Sequence, residues 1–272
     1  MIKRTIVFIL GFLASGSVAS LADTSLPPLA GQIIDVTAGN FYFRAPTTAR
    51  PGLTTFRLHS PHNGHELVLA RLEDGHTAMD LVNAMIAGAP TPWAKKLGGP
   101  AFPAPGGTTN ATYLLEPGKY VIYCQVRAKD GQRHFQKGMF TELTVPAGHR
   151  VPGKLPSPDV VVTEGDYKWI FSTPLTAGRH VLRVTNAGTV THELKFIRVL
   201  PEHTAAQSLA WKPGQPPVNE PFAAITSLEP GVSIITTIDF RLGDYTVWCV
   251  TQLKHGMVQT LSIPPRSGVH SR

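Results

Sequence analysis

The chain of 272 residues carries little charge and little cysteine. Charged residues make up 16% of it, and its two cysteines are Cys124 and Cys249. The sequence has no Gly-x-Ser-x-Gly motif, no Cys-x-x-Cys motif and no Gly-rich phosphate loop, and its carboxylates are scattered without an evident acid–base pair. These absences argue against hydrolase chemistry and leave the two cysteines as the feature to explain.

Long hydrophobic runs are also absent. The longest apolar run, residues 6–13, is shorter than the roughly 20 residues that a membrane-spanning helix needs. It follows Lys3 and Arg4 and precedes small residues up to Ala22, which is the layout of a secretory signal peptide over residues 1–22. We therefore expect a periplasmic or secreted protein with no integral membrane span after cleavage, and an uncleaved anchor is the alternative.

Basic residues outnumber acidic ones, and the formal net charge is +7. They are scattered, without the interleaved aromatic residues that bind nucleic acid, so we expect no nucleic-acid partner. The charge is compatible with an acidic redox partner, whose identity the sequence does not give, and equally with an ordinary solvated surface.

Glycine and proline are plentiful, with 25 and 24 residues, and the apolar runs are short and rich in β-branched and aromatic residues. This composition predicts an all-β protein with many turns. In the second half, the pattern predicts strands over residues 159–164, 168–172, 178–186, 192–199, 231–240, 244–249 and 257–263.

The two halves of the chain repeat each other in three blocks that keep their order. HELVLARLEDGHT at 65–77 matches HELKFIRVLPEHT at 192–204, GKYVIYC at 118–124 matches GDYTVWC at 243–249, and MFTELTVP at 139–146 matches MVQTLSIP at 257–264. A duplicated domain explains this match. We predict domain 1 at residues 28–147, a Pro- and Gly-rich linker at 148–158 and domain 2 at 159–264.

One helix start is visible in the first half. Thr77 is placed as a cap with Asp80 three residues later, and the apolar residues Leu81, Val82, Met85 and Ile86 follow. The pattern predicts a short helix that packs over one end of a sandwich of seven or eight strands.

Two cysteines in an exported protein ordinarily suggest a disulfide. Here Cys124 and Cys249 hold the same late-strand position of their own repeats, and a bridge would require their Cα atoms to lie within about 7 Å across a domain interface. The alternative is that each cysteine is a metal ligand.

The first repeat offers a complete ligand set for that alternative. Cys124 is followed by His134 and Met139, and a distant strand supplies His65. Two imidazoles and a thiolate with a weak axial thioether are the donors of a blue copper site. The repeat favours His65 over His59 and His62, because only His65 has a counterpart, His192; His62 is the fallback.

The GKYVIYC stretch, the RHFQKGM ending and the upstream HEL strand resemble the cupredoxin, or type 1 blue copper, family. The resemblance covers nearly all of both halves and implies two tandem Greek-key β-sandwich domains. In domain 1 it implies His65 and His134 as the imidazole ligands of copper, Cys124 as the thiolate and Met139 as the axial ligand.

The second repeat departs from this pattern. It keeps His192, Cys249 and Met257, but Met257 follows its cysteine by 8 residues, whereas Met139 follows Cys124 by 15. In short-loop cupredoxins, the second histidine ligand stands at a position similar to that of Gln252 in this sequence. The second imidazole is therefore either displaced to His255 or absent, so one copper site is expected and a second is possible.

Three functions fit these residues: a blue copper electron-transfer protein, a periplasmic copper-binding or delivery protein, and an interaction module with empty sites. A copper oxidase or nitrite reductase is less favoured, because neither cysteine is flanked by histidine and no His-x-His pair occurs for a second copper centre. We therefore expect a protein that is not an enzyme.

Overall fold

A computed structural model describes residues 29–61, 64–104 and 106–266 of the chain. The predicted signal peptide and the fallback ligand His62 lie outside these residues. Among the described residues, no helix is both long enough and apolar enough to cross a bilayer.

In the part of the chain that the structure describes, the first half has eight strands and one α-helix. They are β1 (Gln32–Gly39), β2 (Tyr42–Arg44), β3 (Gly52–His59), β4 (Val68–Leu72), α1 (Ala78–Ala87), β5 (Ala94–Ala101), β6 (Thr108–Leu115), β7 (Gly118–Tyr123) and β8 (Phe140–Val145).

The second half repeats this order. It contains β9 (Val160–Gly165), β10 (Lys168–Phe171), β11 (Gly178–Asn186), β12 (His192–Val199), α2 (Ala205–Ala210), β13 (Asn219–Leu228), β14 (Ser233–Phe240), β15 (Gly243–Trp248) and β16 (Val258–Ile263). Every strand predicted in this half is present within a residue or two. The sequence pattern missed β13 and α2.

The strands form two eight-stranded sheets, so the all-β prediction is confirmed. One sheet has the order β10-β9-β11-β14-β6-β3-β1-β2, and the other has the order β16-β15-β12-β13-β5-β4-β7-β8. Each half therefore contributes four strands to each sheet. The apolar residues between the two sheets form one continuous buried core that includes both cysteines.

Period-two alternation explains which side chains enter this core. Along β9, Val160, Val162 and Glu164 are buried, while the residues between them are partly exposed. The pattern that predicts the strand thus also places one carboxyl group, that of Glu164, in the interior.

The two halves are joined edge to edge. Strand β13 pairs with β5 over four residue pairs, from Ala224 with Ala101 to Leu228 with Leu97. In the other sheet β14 and β6 meet at one pair, and Asn110 reinforces the contact: its side-chain nitrogen donates to the carbonyl of Thr237 (2.8 Å), and its side-chain oxygen accepts from the Thr237 N–H (3.0 Å). These contacts make the sheets continuous across the repeat boundary.

Val151 anchors the predicted linker to the first half. Val151 is buried, its N–H donates to the carbonyl of Pro51 (2.7 Å), and its carbonyl accepts from the N–H of Leu53 (3.2 Å). The segment therefore runs along the start of β3 before it enters the second half.

Helix α1 begins as the sequence predicts. Thr77 and Asp80 form a capping box, with the Asp80 N–H donating to Thr77 Oγ1 (3.2 Å) and the Thr77 N–H donating to the Asp80 carboxylate (2.8 Å). The helix buries Leu81 and Val82 against the outer face of β4, β5 and β7, together with Tyr123 and Phe135. A second apolar cluster thus covers the outer face of the first half.

Candidate metal centre

His65, Cys124 and His134 converge at one end of the first half. One donor atom from each lies within 4.8 Å of the other two, and all three residues are buried. His65 lies just before β4, Cys124 directly after β7, and His134 at the start of a 3-10 turn over His134–Lys137. Residues distant in sequence therefore meet because β4 and β7 are neighbours in the sheet.

Backbone hydrogen bonds close the loop that carries three of the predicted ligands. The Cys124 N–H donates to the carbonyl of Met139 (3.1 Å), the Met139 N–H donates to the carbonyl of His134 (3.0 Å), and the Phe135 N–H donates to the carbonyl of Cys124 (2.9 Å). The His134 Nδ1 atom lies 3.4 Å from Cys124 Sγ. The fold thus holds thiol and imidazole together, and Met139 is fully buried in the adjoining core.

Burial sets the ionisation of these donors. It raises the pKa of the Cys124 thiol to about 12, with the Glu66 carboxyl acting in the same direction. Burial also lowers the pKa of His134, and the nearby Lys137 ammonium adds to the effect. The free chain at neutral pH therefore holds a protonated thiol beside a neutral imidazole, and a bound metal ion would displace the thiol proton.

The donor set discriminates among metals. A cysteine sulfur with two imidazoles is a poor match for Mg²⁺ or Ca²⁺, which take oxygen ligands, and a good match for copper, whose blue sites use His₂Cys with a weak axial ligand. The residues present therefore fit a copper ion at His65, Cys124 and His134.

The competing histidines have other partners or lie outside the described residues. His59 lies at the exposed end of β3, with its Nε2 atom 3.0 Å from the Asp35 carboxylate. Another histidine of the first half, His76, stacks on Trp93, with ring centroids 3.9 Å apart. Neither joins the group of His65, Cys124 and His134.

The second half reproduces only part of the arrangement. Cys249 Sγ lies 3.9 Å from His192 Nδ1 and 3.2 Å from Thr251 Oγ1, and Met257 is fully buried. Both cysteines are buried and free, without a disulfide between them.

His255 does not join this pair. Its side chain is exposed and packs on Tyr167, with ring centroids 4.6 Å apart. No three-donor group of histidine, cysteine or carboxylate forms here among the described residues. The structure therefore brings His192 and Cys249 together but leaves the proposed second imidazole on the surface.

Gln252 holds the place that His134 has in the first half. The Met257 N–H donates to the carbonyl of Gln252 (3.4 Å), just as the Met139 N–H donates to the carbonyl of His134. The Gln252 side chain donates to the carbonyl of Thr191 (3.3 Å). The sequence already indicates this equivalence, because Gln252 precedes Met257 by five residues, as His134 precedes Met139.

The glutamates of the two HEL segments meet at the junction of the halves, which the sequence did not predict. Thr226 Oγ1 lies 3.0 Å from both Glu66 Oε2 and Glu193 Oε1, and all three residues are buried. Lys195 Nζ lies 3.3 Å from Glu193 Oε2. Burial raises the pKa of Glu66, an effect that Lys195 opposes and Glu193 reinforces. This polar cluster links the segments that carry His65 and His192.

Thr226→Val removes the hydroxyl that both buried carboxyl groups share while keeping the side-chain shape. We expect the free energy of unfolding to fall by about 1–3 kcal/mol, because buried carboxyl oxygens would lose a hydrogen-bond partner. Urea denaturation measures the change. The matched control is Thr260→Val on the exposed side of β16, where we expect a change within about 0.5 kcal/mol. Equal stability losses for the two variants would contradict the assignment.

No protein-family model matches the chain, and no curated protein matches it. Solved structures do match. Auracyanin from Roseiflexus castenholzii is 21% identical over 43% of this chain and 99% of its own, with a TM-score of 0.28. The structural neighbours of the chain are cupredoxin-fold proteins.

Two further neighbours match across both halves. Copper nitrite reductase from Nitrosomonas europaea is 13% identical over 87% of this chain and 94% of its own, with a TM-score of 0.26. A blue copper oxidase from Nitrosomonas europaea is 15% identical over 86% of this chain and 82% of its own, with a TM-score of 0.24. The neighbours thus include an auracyanin that matches less than half of this chain and copper enzymes that match across both halves.

Proposed function

We propose that the protein is an exported electron-transfer protein that holds one type 1 copper ion in its first half. The observation that carries the proposal is the convergence of His65, Cys124 and His134 within 4.8 Å in a buried site. The loop that bears Cys124 and His134 ends at Met139, the candidate axial ligand. A copper ion bound there would accept and donate one electron at a site from which the protein largely excludes water.

The protein's own residues restrict how that site reorganises. His134 and Cys124 are tied by backbone hydrogen bonds at both ends of their loop, and Met139 is packed in the core. A ligand set held by the fold changes little when the charge of the ion changes, which favours electron transfer. His65, Cys124 and His134 are each more than nine-tenths buried, so the candidate site is largely shielded from bulk water.

The route for the electron runs through His134 to the surface. The Phe41 ring meets the His134 ring edge-on, with centroids 5.1 Å apart, and is itself 38% exposed. The ammonium of Lys137 lies 5.1 Å from the Phe41 ring centre. We propose that a partner docks over Phe41.

The surface around this point is mainly basic. A depression of about 690 Å³ beside His65 and His134 is lined by Arg127, Lys129 and Lys137, with Asp130 as its one acidic residue. Asp130 is paired with Lys137 (2.5 Å), which leaves Arg127 and Lys129 as exposed positive charges. Charge complementarity therefore favours an acidic redox partner.

Copper loading tests the proposal. The purified chain, incubated with Cu²⁺ and freed of excess metal, should retain one copper per chain and show an intense absorption in the red. Ascorbate should bleach the band, and reoxidation should restore it. A colourless protein that binds copper would contradict electron transfer and favour storage or delivery, and a chain that binds no copper would overturn the proposal altogether.

A further inference from the structure

The outer face of the second half contains a cleft where the first half has a packed apolar cluster. The cleft has a volume of about 550 Å³. Its walls include three aromatic side chains and one lysine, and the lining residues that matter here are Phe102, Lys195, Ile197, Ser208, Trp211 and Trp248. It shares no residue with the group of His65, Cys124 and His134.

The repeat explains why the cleft is open. With the offset of 127 that relates the HEL segments, Leu81 of α1 corresponds to Ser208 of α2. Leu81 is fully buried and fills the outer face of the first half, whereas α2 buries only Ser208. The helices share a capping box, since Thr204 and Gln207 stand where Thr77 and Asp80 do, so they begin alike and differ in what they cover.

The floor of the cleft has changed in the same way. The outer-face residues Val68 and Tyr123, both fully buried beneath α1, correspond to Lys195 and Trp248. Trp248 is only partly buried. The apolar side chains that fill the outer face of the first half are therefore replaced, in the second half, by an open space between aromatic side chains.

Lys195 brings a charged group to the lining of this cleft. Lys195 Nζ lies 3.3 Å from Glu193 Oε2 and 4.3 Å from the centre of the Phe102 ring. Its carboxylate partner already balances its charge, so a full negative charge on a ligand is not required. An ammonium carries three protons and can still donate to a neutral acceptor oxygen.

We propose that this cleft binds a small planar aromatic molecule that bears a hydroxyl or carbonyl oxygen. The ring lies between Trp211 and Trp248, and the oxygen accepts from Lys195. The volume falls in the range of small-molecule sites, which are mostly apolar with a few placed polar groups. The first half supports the choice of occupant, because there the equivalent space is filled by apolar and aromatic side chains, including Leu81 and Phe135.

The probe is 2-naphthol, titrated into the full chain by isothermal calorimetry. We expect one bound molecule per chain, and binding of cyclohexanol, which has the oxygen without the aromatic ring, to be weaker by about tenfold or more. The Cys124→Ser chain should bind 2-naphthol equally well, so that the cleft is tested independently of the copper site.

Ser208→Leu introduces the side chain that Leu81 has at the equivalent position and should reduce the affinity for 2-naphthol by about tenfold or more. Trp211→Ala, which removes an aromatic side chain from the cleft lining, should reduce the affinity by a similar factor. Circular dichroism and thermal melting check that each variant folds. The control is Met79→Ala on the exposed side of α1, which should leave binding unchanged.

Several results would overturn the proposal. One is that 2-naphthol does not bind to the wild-type chain. Another is that several 2-naphthol molecules bind per chain, and a third is that neither Ser208→Leu nor Trp211→Ala changes the affinity. A wild-type chain that is dimeric by light scattering and binds no naphthol, while Ser208→Leu is monomeric, would show that a second copy covers the cleft instead.

Discussion

A Cys124→Ser chain should lose the red absorption completely and bind copper weaker by about a hundredfold or more. The colour of a blue copper site requires a thiolate bonded to the ion, and a serine hydroxyl is a harder and far less acidic donor. We propose Cys124 for this role, because its sulfur lies 3.4 Å from His134 Nδ1 in a buried site. Visible absorption and copper analysis after loading measure both effects.

Cys249→Ser is the matched control for that variant. Both cysteines are buried and free at the end of equivalent strands, so the two substitutions make the same chemical change in the same kind of place. Cys249 has His192 nearby, but Gln252 stands where the second imidazole would be and His255 lies on the surface. We expect Cys249→Ser to keep the colour and one copper per chain. Loss of colour in this variant alone would place the working site in the second half.

The Glu164→Gln chain should have a higher free energy of unfolding than the wild-type chain at alkaline pH, and this free energy should depend less on pH. Glu164 is fully buried on β9, opposite Trp169 on β10, and burial raises its pKa from 4.5 to about 8. The folded state therefore holds a proton that the unfolded state releases at lower pH. Because the folded-state pKa is the higher one, the stability contributed by this proton is complete below about pH 4.5 and is lost as the pH rises to about 8.

The size of the effect follows from the same pKa values. Each pKa unit corresponds to about 1.4 kcal/mol, so a rise from 4.5 to about 8 makes the loss on the order of 4–5 kcal/mol. Glutamine keeps the shape without the ionisation. Urea denaturation between pH 5 and about pH 9 should therefore show a falling free energy of unfolding for the wild-type chain and a smaller slope for Glu164→Gln.

The control is Glu73→Gln, which changes an exposed glutamate in the loop after β4. It should preserve the wild-type slope. If Glu164→Gln and the wild-type chain showed the same slope, the buried carboxyl would not titrate in this range.

Local pattern and repetition predicted much of the fold. Alternating residues mark strands such as β11 and β12, whose bounds match the prediction. The Thr77 and Asp80 pair gives the start of α1 because a capping box depends only on residues three apart. Strand β13 escaped prediction, because its residues Asn219–Leu228 begin with polar residues and a proline, and its pairing with β5 of the other half stabilises it.

The candidate ligands were predictable for a similar reason. Cys124, His134 and Met139 lie in one loop, and the repeated HEL segment identifies His65 among three nearby histidines. For the second half, the sequence did not decide whether His255 supplies a second imidazole ligand or whether no residue does. Only the folded loop shows Gln252 bonded to Thr191 and His255 packed on Tyr167.

By itself, the sequence determined the β-rich architecture, the repeated blocks and the residue types of the candidate metal site, because these depend on periodicity and on short spacings. The tertiary structure decided how the halves join, through the shared sheets and the cluster of Glu66, Thr226 and Glu193. It also decided which half assembles three donors and which half opens a cleft at Ser208. Such features depend on distances between residues far apart in the chain, which no local pattern records.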